Sequence, residues 1–66
     1  AGMDADLRRE LDGCINDLRA AANLLTEAAG ILDGAVQGVG ALAVSEKMRH
    51  YADRYSTAAT RLSNVR

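Results

Sequence analysis

The sequence predicts an all-α fold: a two-helix antiparallel hairpin that assembles into a four-helix bundle. Three observations carry this. Leucine or valine recurs every seventh residue at Leu11, Leu18, Leu25, Leu32 and Val39. A second stripe at Val44, Met48, Tyr51, Ala52, Tyr55, Ala58, Ala59, Leu62 and Val65 keeps the same three- and four-residue steps. Between the two lies a short glycine-containing stretch, Gly38-Val39-Gly40. Apolar residues spaced this way share one face of a helix that packs on other helices.

The first helix is expected over about residues 5–37, with Asp4 or Asp6 as its cap. Acids crowd its opening turns at Asp4, Asp6, Glu10 and Asp12, which suits the positive end of the helix dipole. Beside the leucine column run Leu7, Cys14, Ala21, Ala28 and Ala35. On its other flank run Ile15, Ala22, Ala29 and Val36. These flanking rows are mostly small, so a partner helix can come close. Gly13 falls on the far side from the leucines and reads as a tolerated surface glycine. A polar face carries Arg9, Asn16, Arg19, Asn23, Thr26 and Asp33, and Arg8 and Asp12 stand at pairing distance along it.

Gly30, Gly34 and Gly38 fall four apart. Either they line a groove for another backbone, or they loosen the helix end. The apolar stripe continues to Val39, so the helix is expected to reach about Gln37, with the turn over about 38–41. The second helix then covers about 42–64, with Arg49 and Asp53 spaced to pair along it. A linker this short folds the helices back on each other.

Leu24 and Ile31 widen the first helix's stripe beyond the leucine column, more than one partner helix covers. A second hairpin is the natural cover. The expected protein interface is therefore Leu11, Leu18, Leu25, Leu32, Leu24 and Ile31 on the first helix. On the second it is Tyr51, Tyr55 and Leu62, and both tyrosines suit either a core edge or a binding anchor.

Composition narrows the function classes. A 66-residue chain is one domain and buries only about 60% of its unfolded surface. One cysteine makes no internal disulfide, and one cysteine with one histidine is too few for a structural zinc site. Phe, Trp and Pro are absent. Acids dominate residues 1–34 and basic residues 35–66, so the two halves attract. A net charge of −1 without a basic block argues against nucleic acid. The longest apolar run, residues 38–44, is far short of a membrane span. An acidic start and a central apolar segment do not read as a signal peptide, and Ala1-Gly2 before Met3 looks like a cleavage scar.

No catalytic constellation emerges. His50 has Glu46, Asp53 and Arg54 as polar neighbours, an acid–base grouping that reads as an ordinary surface histidine. Cys14, in the small-residue row, reads as a buried inert thiol, with a disulfide across a two-fold axis as the other use. No metal spacing or phosphate loop is present. The expectation is a non-enzymatic chain without cofactor.

An acidic Leu/Ala helix, a glycine turn and a second helix with central aromatics resemble the WXG100/ESX-type hairpins of type VII secretion. Residues 18–39 (LRAAANLLTEAAGILDGAVQGV) are similar to their first helix. Residues 44–62 (VSEKMRHYADRYSTAATRL) are similar to their second, with Tyr55 where actinobacterial relatives often carry an aromatic. The resemblance implies a homodimer or heterodimer with a related helical protein, and a role as secreted partner or targeting adaptor. The turn carries Gln37-Gly38-Val39-Gly40 in place of Trp-x-Gly, and no acid stands four residues after Tyr51 or Tyr55. Lacking both signals, the chain would be the partner of a member that carries them. Its location would be cytoplasmic, or secreted without a cleavable signal. The alternative roles are a small cytoplasmic regulator or antitoxin-like protein capping a larger partner, or a helical accessory subunit of an enzyme complex.

Overall fold

A computed structural model describes residues 3–65. Ala1-Gly2, expected as a cleavage scar, and Arg66 lie outside the described residues. Two helices make the fold: α1, Ala5–Ala35, and α2, Val39–Val65. They pack antiparallel as one hairpin, 54 Å long and 14 × 10 Å in its other directions.

Asp4 caps α1: it is extended, and its side chain accepts from the Leu7 amide at 2.8 Å. The carboxylate thereby satisfies an amide that the helix itself leaves without a partner. At the other end α1 stops at Ala35, two residues earlier than the stripe predicts. Val36 is extended, although its N–H still donates to the Leu32 carbonyl at 3.0 Å.

The reversal takes only Val36, Gln37 and Gly38. Gly38 has φ +133, a conformation closed to residues with a Cβ, and its carbonyl accepts from Leu42 at 3.1 Å. Val39 and Gly40, expected in the turn, begin α2 instead. One left-handed glycine is enough to turn the chain, so the second is free to be helical. Among the described residues, nothing beyond the adjoining backbone of α1 lies within 4 Å of a Cβ built on Gly30 or Gly34, so these glycines form no groove for α2.

The helices meet along two seven-residue rows, Ile15, Ala22 and Ala29 on α1 and Ser45, Ala52 and Ala59 on α2. Every one of these is at most 4% exposed. The leucine column is not the middle of this contact. Leu11, Leu18, Leu25 and Leu32 are half-buried beside it, as are Ala41, Met48 and Leu62 on α2. Small residues in one row let the backbones approach, and large ones in the adjacent row then straddle the partner helix. Read as a heptad, small residues hold one core position and large residues the other.

Ser45 is the one polar member of the seam and is fully buried; its hydroxyl donates to the Leu42 carbonyl at 3.1 Å. Thr26 and Thr60 bond back to Ala22 and Ser56 in the same way, so these hydroxyls need nothing from solvent.

A leucine at Ala52 has no room in this seam. Ala52→Leu should destabilise the chain by about 1–3 kcal/mol, from forced separation of the helices. Ala20→Leu, on an exposed position of α1, should leave the denaturation midpoint within about 0.5 kcal/mol of wild type. Chemical denaturation followed by circular dichroism reads both.

Candidate functional site

The seam divides the hairpin into two flanks of opposite character. One flank holds the residues four beyond the buried rows: Asp12, Arg19, Thr26 and Asp33 on α1, and Arg49, Ser56 and Ser63 on α2. These are the polar edge. Here Arg49 Nη2 meets Asp33 Oδ2 at 2.7 Å, an ion pair that crosses between the helices. Arg49, which helical spacing offers to Asp53, reaches across the hairpin instead.

The Ser45 hydroxyl beside the Asp33 carboxylate, and then the Arg49 guanidinium, hold the Asp33 pKa below its ordinary value of 3.8. Asp33 is thus tied to α2 through the Arg49 guanidinium. The exposed Arg9–Asp6 contact at 3.7 Å is an ordinary surface pair of little weight.

The opposite flank is apolar. On α1 it carries Leu7, Cys14, Ala21, Ala28 and Ala35, and on α2 Val44, Tyr51, Ala58 and Val65. Leu24 and Ile31 stand one further step out and are 65% and 66% exposed. Leu25, Val44, Met48 and Tyr51 line one shallow groove that spans both helices on this side, with the Lys47 stem at its edge. The flank runs the length of the molecule, and an isolated hairpin leaves it in water.

The expected interface residues therefore fall into three settings. Leu24 and Ile31 lie on the open face, as does Tyr51. Leu11, Leu18, Leu25, Leu32 and Leu62 are half-buried at the edge of the seam and show their outer sides to the same face. Tyr55 belongs to the row of Met48 and Leu62 yet remains 38% exposed, a core-edge residue. Cys14, expected to be buried, is exposed, because its row lies one step outside the helix–helix contact.

His50 is exposed on α2, its ring edge-on to Tyr51 with centroids 5.9 Å apart. The Arg54 guanidinium lies 5.9 Å from the Tyr51 ring centre. His50, Asp53, Arg54 and Arg61 border a shallow open depression on α2 alone. Among the described residues no three His, Cys, Asp or Glu side chains gather as a metal site. No described helix is long and apolar enough to cross a membrane.

Sequence reading missed Asp33 as a cross-helix partner. Its signal was its position four residues after Ala29, matching that of Arg49 after Ser45. No protein-family model matches the chain, and no curated protein or solved structure matches it.

A carboxylate held below its ordinary pKa stabilises the fold while ionised and stops doing so as pH falls through that lowered value. For Asp33 the contribution is complete above about pH 5 and fades below 3.8. In thermal melts across pH 2–6, Asp33→Asn should remove part of the acid-side loss, and its deficit against wild type should shrink as pH falls. A deficit that is constant with pH would show that the ionised pair contributes nothing.

Proposed function

We propose that this chain is a non-enzymatic protein-binding hairpin whose working surface is the apolar flank, and whose partner is a second helical hairpin. The observation that carries this is the exposure of Leu24 and Ile31 on a face continuous with Leu25, Val44, Met48 and Tyr51. Four of the five fully buried apolar residues are alanines, and alanine returns little hydrophobic free energy on burial. The larger side chains have most of theirs still to gain. Each gains about 1.5–3 kcal/mol on full burial, so covering this face stabilises both the fold and the complex.

A partner that fits has a matching helical face, and two such faces together make a four-helix bundle. The two-helix form and the Leu/Ala rows also support the narrower reading of a partner or adaptor in type VII secretion. Secretion genes beside its own would favour that reading. A neighbouring toxin or regulated enzyme would favour a capping regulator.

Leu24→Asp combined with Ile31→Asp should weaken association about a hundredfold or more while leaving helicity intact, because neither side chain supports the hairpin. Leu25→Asp, half-buried beside Ala22 and Ala29, should cost both assembly and folding. Light scattering and circular dichroism on each variant separate the two effects. Undiminished assembly of the Leu24/Ile31 variant would refute the assignment of the face.

A further inference from the structure

The rim of the apolar face is charged, and its two edges carry opposite signs. Glu10 and Asp17 precede Leu24 and Ile31 in one seven-residue row along the outer edge of α1. The corresponding row on the outer edge of α2 is Lys47, Arg54 and Arg61. In the register fixed by the Asp33–Arg49 bridge, Asp17 and Arg61 lie within about one helical turn of the same height. They stand on opposite edges of the face, so they do not neutralise each other within one chain.

We infer that the occupant of this face is a second copy of the chain. The two-fold axis runs along the length of the hairpin, so both turns lie at the same end and each α1 covers the other copy's α2. This rests on the protein-binding reading above and adds the partner and its geometry. A two-fold interface uses the same patch on both copies, so the patch must complement itself. Rotation about the long axis brings the Asp17 edge of one copy over the Arg61 edge of the other, twice per dimer. It sets Leu24 and Ile31 level with the aliphatic stems of Arg54 and Lys47, which can cover them while their charges stay in water.

Size complements as well as charge. The alanine row of α1 meets the α2 row of Val44 and Tyr51, so the bulky side chains find space. The other face-to-face two-fold, across the hairpin's length, lays α2 on α2. Arg54 then meets its own copy and Lys47 meets Arg61, while Asp17 faces Ile31. Like charges directly opposed disfavour that arrangement. The face is 54 Å long and 14 Å wide between backbone extremes. That matches the roughly 800 Å² per partner of a stable interface.

Sedimentation equilibrium of the full chain should give twice its 7.0 kDa mass. Asp17→Arg and Arg61→Asp should each weaken the dimer by about five- to tenfold, and the double variant should recover to within about twofold. Both residues are exposed, and unchanged circular dichroism checks that the variants fold. Spin labels at Gln37→Cys, in a Cys14→Ser background, should sit about 20 Å apart, near the width of a bundle. A separation near the 54 Å length, or a dimer tightened by Arg61→Asp, would overturn the lengthwise two-fold. A monomer that binds a different helical protein through Leu24 and Ile31 would refute self-pairing and leave the protein-binding reading standing.

Discussion

The close approach of the two helices along the Ile15–Ala22–Ala29 and Ser45–Ala52–Ala59 rows is the constraint from which the other features follow. A seam of alanines brings the backbones together, and dispersion then acts between many atoms at short range. The same closeness forbids a leucine in the middle of the contact. Large side chains are displaced to the adjoining row, where Leu18, Leu25, Met48 and Leu62 wrap around the partner helix and stay half-exposed. What they fail to bury against α2 they present to one side of the hairpin.

Which side that is depends on the polar flank. Asp33 and Arg49 close one edge of the seam near the turn, and Ser45 buries a hydroxyl beneath them. With Arg19, Thr26, Ser56 and Ser63 continuing this edge, water is its natural neighbour. The pair also fixes register. A slip of one residue would part the carboxylate from Arg49 and put larger side chains into the alanine seam. The ion pair and the small residues therefore specify one alignment by independent means, and Gly38, the one described residue with positive φ, sets the turn that permits it.

Much of the fold was legible because helical periodicity survives in sequence. The two helices, their antiparallel return and the excess breadth at Leu24 and Ile31 were readable from spacing, while residue type narrowed the cap to Asp4 or Asp6 and the structure selects Asp4. The leucine column, more prominent to the eye, drew attention from the alanine rows that form the real contact. Volume explains this: hydrophobicity ranks leucine first, whereas close packing of two helices selects the smallest side chain. The turn was misplaced by the symmetry of Gly38-Val39-Gly40, in which nothing distinguishes the glycine that must adopt positive φ from the one that need not. The exposure of Cys14 was hidden for a related reason, since its row is apolar and yet lies outside the first contact. The two exposed faces could be ranked from sequence, but the Asp33–Arg49 pair required the register between helices, which no local pattern contains.

A two-helix unit faces a geometric limit that larger bundles do not. Each helix offers one strip to the other, and a strip filled with alanine removes little apolar area from water. Enlarging the seam residues would not help, because it would push the helices apart and lose the contacts that small residues make possible. The chain instead places its leucines, Tyr51 and Ile31 where a second layer can reach them, and surrounds that surface with acids on one helix and basic residues on the other. On the protein-binding proposal, the half-buried leucines serve stability and recognition at once. Substitutions on the polar edge perturb the hairpin alone, whereas on the apolar side the half-buried leucines also support the fold and Leu24 and Ile31 stand clear of it.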